Sequence, residues 1–233
     1  MRVKKYYDIA AEASKKIDGH RGLMKLQKLC KNAYKVLDVG CGEGSRLNVM
    51  GGGVGVDINR FAIFQARKKY PKSNFQIASV EKLPFADKSF DLVYSAFVIE
   101  HVKSPEKMLE EMIRVTSKRL VILCPNYGAP NRRSPVSVEN PIIKLLKGVL
   151  PLNSNTLGWT KVVPKQKYIN IDDDTTVEPY LLSLKKYLEN KGLKIEECSS
   201  LWELEPPTVN PRKLFFKIFF KYCGPQIFLS ARI

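Results

Sequence analysis

The chain is short of several things, and each shortage excludes something. Its five cysteines, at 30, 41, 124, 198 and 223, are scattered, odd in number and free of any Cys-x-x-Cys pair. That argues against a disulfide framework or a zinc site, and for a reducing compartment. No apolar run is long enough to span a bilayer. Residues 1–7 are charged and aromatic, unlike the apolar core of a signal peptide. A cytoplasmic protein is therefore expected. There is no Gly-x-x-x-x-Gly-Lys phosphate loop, no internal repeat and no low-complexity tract. Acidic residues are scarce: 39 Lys and Arg stand against 23 Asp and Glu, a formal net charge of +16. The 233 residues suffice for one α/β domain, and a hydrophobic content of 44% argues against global disorder.

What is present is concentrated in residues 36–47. Val36, Leu37 and Val39 read as a short buried strand. Gly40, Gly42 and Gly44 then let the backbone turn sharply and approach a ligand. A second apolar segment, Val54-Gly55-Val56, ends in Asp57, an acid about 20 residues past the turn that suits a pair of ribose hydroxyls. A dinucleotide fingerprint wants Gly-x-Gly-x-x-Gly, but here Ser45 displaces the pattern and the third Gly comes one residue early. Asp38 and Glu43 would repel a pyrophosphate and welcome a cation. S-adenosylmethionine, with a sulfonium, an ammonium, free ribose hydroxyls and no phosphate, fits both ends.

Four segments in order then resemble the class I S-adenosylmethionine-dependent methyltransferases, specifically the broad type 11 group of small-molecule, glycan and lipid enzymes. They are Leu37 to Gly44, Gly55-Val56-Asp57, Glu81-Lys82-Leu83-Pro84-Phe85, and Ser89 to Ser95 running into Glu100-His101-Val102. The resemblance covers about residues 33–127. It implies that Asp38, Gly40 and Gly42 wrap the methionine part, with Cys41 beside them by position. Asp57 and its neighbour Ile58 fall at the ribose, Ser79 and Val80 at the adenine, and Ser95 in the reaction pocket. The family usually has Asp where this chain has Ser79; a hydroxyl accepts the adenine amino group more weakly than a carboxylate.

Methyl transfer from a sulfonium is mostly positioning, and a base is needed only when the acceptor must lose a proton. Candidates are Glu100 and His101 past the fourth strand and Tyr127 past the fifth; an unperturbed imidazole puts His101 first as a base. Asn126 is a pocket-lining candidate, His20 is expected to be structural, and Asp172, Asp173 and Asp174 are expected to cap a helix. No metal site is expected. The segment after the fourth strand, Ser95-Ala96-Phe97-Val98, lacks the Asn/Asp-Pro-Pro-Tyr/Phe of amino-methylating nucleic-acid enzymes.

Strands are expected over 35–39, 53–57, 74–78, 90–96, 119–124, 193–198 and 226–231, with helices near 44–50, 60–69, 80–82, 105–116, 175–190 and 212–222. Alternation predicts a doubly wound, mainly parallel sheet of seven strands, and the resemblance implies a Rossmann-like methyltransferase fold. The resemblance implies that the last strand inserts antiparallel between the fifth and sixth. The expected organisation is a single domain over 1–233. It carries an N-terminal helical cap over 1–32 and a lid over 128–174 after the fifth strand, with a short helix at 141–150. Ten basic and three acidic residues lie in 1–35, and seven basic and one acidic in 128–171. This placement suits an anionic acceptor or surface. The expected activity is methyl transfer to a small-molecule, sugar or lipid-linked acceptor. An RNA methyltransferase and a non-catalytic partner subunit are the alternatives. The basic, aromatic helix at 212–222 is expected to pack against the sheet and lid or a second subunit, with peripheral membrane contact as the alternative, and the oligomeric state is left open.

Overall fold

The computed structural model describes residues 20–129, 140, 142–143, 146, 156–164, 174–201 and 224–233. The elements, in chain order, are α1 (Arg21–Lys31), β1 (Val36–Val39), α2 (Ser45–Met50), β2 (Val54–Asp57), α3 (Arg60–Lys69), β3 (Asn74–Ile77) and β4 (Phe90–Ala96). A 3-10 turn (Ile99–His101) follows, then α4 (Pro105–Val115), β5 (Thr116–Pro125), β6 (Thr160–Lys161), β7 (Val177–Glu178), α5 (Leu181–Asn190), β8 (Lys194–Leu201) and β9 (Gln226–Arg232).

Seven strands form one sheet in the order β3-β2-β1-β4-β5-β9-β8. β1 to β5 are parallel, and β9 runs antiparallel between β5 and β8. This is the expected doubly wound sheet with its reversed last strand. Strand order switches direction at β1, so the crevice at the carboxyl ends of β1, β2 and β4 is where such sheets bind ligands.

Side-chain alternation along β1 divides the core. Leu37 and Val39 pack on one face with Met108, Leu109 and Met112 of α4, and Val36 packs on the other with Leu26 of α1 and Leu47 of α2. In α4, Met108, Leu109, Met112 and Val115 recur at helical spacing and are wholly buried. Pro105 opens that helix as expected. Ser104 does not cap it with its side chain; its amide instead donates to Glu81 Oε1 at 3.1 Å.

Four other expectations change. Residues 80–82 are a turn closed by a bridge between Ser79 and Lys82, too short and too tethered to be a helix. α1 runs straight through Gly22, where a Cβ would come within 2.7 Å of Leu123 Cδ1. There glycine serves close packing, not a break. The helix expected over 175–190 begins only at Leu181, because Val177–Glu178 pairs with Thr160–Lys161. β5 starts at Thr116, inside the segment expected to end a helix. Of the helix expected at 141–150, Ile142, Ile143 and Leu146 are described; all three are helical and exposed. Residues 1–19, the helix expected at 212–222 and most of the 128–174 segment lie outside the described residues. No described helix is long and apolar enough to cross a membrane.

Candidate cofactor and acceptor site

The glycine turn after β1 is tied to the end of β2. The amides of Gly40 and Cys41 both donate to Val56 O, at 2.8 and 2.9 Å, and the amide of Gly42 donates to Asp57 Oδ2 at 2.9 Å. Two glycines show why side chains are excluded. Gly40 has φ +82, and a Cβ there would lie 2.5 Å from Val98 Cγ2, so the segment after β4 presses on the turn. Gly42 has φ +53, yet a Cβ there would meet nothing within 4 Å. The space in front of Gly42 is open, as a ligand cradle requires.

Behind the turn, Asp38 sits between Gly55 of β2 and Tyr94 of β4 in the register of the sheet. It is wholly buried, and neither carboxylate oxygen makes a hydrogen bond of normal geometry. Burial pushes its carboxyl up to about 7, against the nearby Arg46 guanidinium and Tyr94 hydroxyl, which favour the charge, and with Asp57 adding to the rise. Arg46 donates through Nη1 to Ala96 O at 2.7 Å and lies over the Phe97 ring at 5.6 Å. Phe97 takes φ +59, an unusual backbone for a bulky residue, at the bend that carries the chain from β4 to the 3-10 turn. Asp57 shares its carboxylate between Gly42 and the amide of Asn59, at 2.9 and 2.8 Å. Burial raises its pKa, while the amides of Asn59, Gly42 and Ile58 oppose the rise. A wholly buried carboxylate beside an open glycine cradle, only partly balanced by Arg46 and Tyr94, fits a ligand that brings its own positive charge.

The other residues singled out in the sequence fall as follows. Cys41 is buried, and its sulfur fills the notch over Gly55, where a Cβ would lie 2.8 Å away. Burial drives its thiol pKa far up, with Asp38 and Asp57 adding to the effect, so its side chain packs and does not react. Ile58 is 71% exposed beside Asp57. The Ser79 hydroxyl accepts the Glu81 amide at 3.2 Å within its own turn, and Val80 packs against the core. Ser95 is buried and its hydroxyl has no partner. His20 caps α1, accepting the Leu23 amide at Nδ1.

The acceptor side departs further from expectation. Tyr127 is wholly buried; its amide donates to Pro179 O and its hydroxyl lies 3.5 Å from Thr175 Oγ1. It anchors the 174–179 segment and presents no phenol to open space. Asn126 is buried and binds Gly224 O through Nδ2 at 2.9 Å, tying β5 to the start of β9. Asp174 does not cap α5, which begins seven residues later. Its Oδ1 is 2.9 Å from His101 Nδ1, and Glu100 Oε1 lies 3.7 Å from His101 Nε2. Burial alone would lower the imidazole pKa. The contact with Asp174 and the charges of Glu100 and Asp174 outweigh it and push the value up to about 9. At neutral pH the ring is therefore already protonated. The expectation of a free base rested on an unperturbed imidazole, and the two carboxylates remove that premise. Thr176 completes the clamp, donating its amide to Glu100 O at 2.8 Å and its hydroxyl to Val102 O at 2.9 Å. Asp174 and Thr176 were not legible as site residues, since only the fold brings them to the end of β4.

Comparison with known proteins agrees with this architecture. Residues 37–123 match the family model described as "Methyltransferase domain". A Bacillus subtilis protein provisionally named 23S rRNA (guanine-N(1)-)-methyltransferase is 38% identical over 74 residues, covering 28% of this chain and 26% of that protein. Phosphatidylethanolamine N-methyltransferase from Cereibacter sphaeroides is 28% identical over 134 residues, 54% of this chain and 62% of that one. The chain thus spans less than two thirds of the length of either. Among solved structures, the partner of the Trm112 methyltransferase activator in a Haloferax volcanii complex superposes with a TM-score of 0.59. That match covers 98% of this chain and 96% of that one at 17% identity, and so speaks for the fold alone. Cradle, strand order and family match converge: residues 37–123 match a methyltransferase domain, and the sheet that carries them has the fold of the class I S-adenosylmethionine-dependent methyltransferases.

Proposed function

We propose that the protein transfers a methyl group from S-adenosylmethionine to a small-molecule, sugar or lipid-linked acceptor, with oxygen as the first choice of acceptor atom. The cradle carries this reading. The open face of Gly42, the carboxylate of Asp57 and the buried carboxylate of Asp38 lie together toward the carboxyl ends of β1 and β2. Asp38 and the backbone of Gly40 and Gly42 would hold the methionine end, Asp57 with its neighbour Ile58 the ribose, and Ser79 and Val80 the adenine. The cofactor supplies a methyl carbon attached to a sulfonium, already activated for displacement. The acceptor's lone pair forms the new bond as the carbon–sulfur bond breaks and its electron pair stays on sulfur.

A protonated His101 takes no proton from the acceptor. It fixes the loop after β4, through Asp174 and Glu100, against the strand end that would face the acceptor. Catalysis then rests on orientation, and an anionic acceptor oxygen that is already deprotonated needs no base and leaves no proton to place. The uncompensated net charge of +16 supports an anionic acceptor. The same charge, with the rRNA-directed name of one relative, keeps an RNA acceptor as the second reading.

The test is transfer of labelled methyl into a host extract separated into lipid, RNA, protein and small-molecule fractions, with Asp57→Ala as control. Label in the lipid or small-molecule fraction that disappears in the control is the expected result. Label in RNA alone would replace the first reading by the second. No label and no cofactor binding would leave a non-catalytic subunit, the role in which a partner activator would make sense.

A further inference from the structure

Exposed apolar side chains are gathered on one shoulder of the molecule. Phe61 and Phe64 are 51% and 63% exposed on the solvent face of α3, opposite Ala62, Ile63 and Ala66, which face the sheet. Ile58 precedes that helix and is 71% exposed, and Ile77 ends the edge strand β3 at 46%. Strand alternation places Ile77 on the same face of the sheet as Phe75, which packs with Ile63 and Ala66 of α3. α3 begins where β2 ends, so Ile58, Phe61 and Ile77 all sit at the carboxyl end of the sheet, beside the cradle.

The segment that carries this patch has charge of one sign, with Asp57 and Glu43 at its cradle edge. Between Asp57 and Glu81 there is no acidic residue, while Arg60, Arg67, Lys68, Lys69 and Lys72 are basic. Lys69 is paired with Glu43, and Arg67 donates through Nε to Phe75 O at 2.9 Å. Asn59 spends its side chain capping α3, accepting the amides of Phe61 and Ala62 at 3.0 and 3.1 Å. The patch is thus held rigid before any partner arrives.

We propose that this shoulder docks on an anionic lipid bilayer, setting the cofactor cradle against the membrane surface; the proposal rests on the lipid-linked form of the acceptor reading above. Phe61, Phe64 and Ile77 suit the boundary between headgroups and acyl chains, with Ile58 left to the cofactor, and Arg60, Lys68 and Lys72 suit the anionic headgroups. Nucleobases would stack on Phe61 and Phe64 but leave the aliphatic Ile77 unused, so RNA retention is one of the outcomes the test separates. Addition of a partner strand to β3 fits less well, because Arg67 already occupies the carbonyl of Phe75 on that edge.

The experiment is co-flotation of the full chain with vesicles of phosphatidylcholine alone and of phosphatidylcholine mixed with phosphatidylglycerol. A Phe64→Trp variant reports insertion by its emission. Binding to the mixed vesicles with a blue shift is expected, and little binding to the neutral ones. Phe61→Ser with Phe64→Ser should weaken binding about tenfold or more. Arg60→Glu with Lys68→Glu should weaken it at least as much, since each basic residue near an anionic surface is worth about fivefold. Both double variants should keep the wild-type melting temperature and cofactor affinity, because none of these side chains belongs to the cradle. Absence of flotation, flotation unaffected by the serine pair, or an unshifted emission would overturn the proposal. So would self-association or RNA retention that the serine pair abolishes, by showing a different occupant. Vesicle binding without methyl transfer to the lipid fraction would sink the acceptor reading alone, and transfer without vesicle binding would sink the docking alone.

Discussion

His101 Nδ1 and Asp174 Oδ1 meet at 2.9 Å across the carboxyl end of the sheet, joining the turn after β4 to the segment that leads into β7. This pair makes stability depend on pH in a defined window. The folded pKa of about 9 lies above the ordinary value of 6.5, so the stabilisation is fully present below pH 6.5 and is lost as pH rises through 9. Melting temperature should fall across that window in the wild type. In Asp174→Asn the fall should shrink and move to lower pH, as the opposing burial of the imidazole is exposed. A pH series of thermal melts on the two proteins checks this.

Asp38 gives a second test of the same sign in a lower window, because its charge is what burial penalises. With its folded pKa near 7 and an ordinary value of 3.8, its contribution to stability is complete below pH 3.8 and is lost as pH rises through 7. Asp38→Asn should therefore melt no lower than wild type at pH 8. A bound cation favours the ionised carboxylate, so cofactor affinity should rise from pH 6 to pH 8 in the wild type and lose that dependence in Asp38→Asn. Affinity of the variant should drop by about tenfold or more, the scale of a lost charged contact. Calorimetry in buffers of different ionisation enthalpy reads the proton release directly.

The two glycines of the turn should separate stability from binding. Gly40→Ala combines a positive φ with a Cβ 2.5 Å from Val98, and should cost about 2 kcal/mol or more of stability. Val98→Ala should recover part of that loss. Gly42→Ala meets no neighbour, and should cost only about 1 kcal/mol for its left-handed backbone. Its methyl enters the open cradle, however, so cofactor affinity should fall disproportionately. Denaturant melts and cofactor titrations of the three variants check the split.

Arg114 holds the chain between β3 and β4 onto α4. It binds Leu83 O and Phe85 O at 3.1 and 2.8 Å and pairs with Glu111 and Asp87 at 2.7 and 2.8 Å. Arg114→Met should cost about 1–3 kcal/mol, chiefly through two carbonyls left without their charged donor. Glu111 also accepts the Leu83 amide, so Glu111→Gln should cost less while disturbing the same loop. Urea melts of the two variants rank them.

The sequence by itself determined the sheet and the cradle, because their signals are local. Alternating Leu37 and Val39, the three glycines, and an acid ending each of two short apolar runs are properties of neighbours along the chain, and backbone geometry turns them directly into a strand, a turn and a second strand. Ser79 to Lys82 misled for the same reason: a few residues of helical composition sit where a turn hydrogen bond closes sooner than a helix can nucleate. What only the tertiary structure decided was the charge state and aim of side chains. His101 looked like a neutral base, and it became a cation because Asp174 arrives from a distant segment. Tyr127 followed a strand like a pocket residue, and packing against Thr175 and Pro179 buried it. Cys41 belonged to the cradle by position, and the missing side chain of Gly55 drew its sulfur into the sheet. Strand periodicity is written one residue at a time. Burial and electrostatic partnership depend on residues far apart in the chain, and no local pattern records which of them will meet.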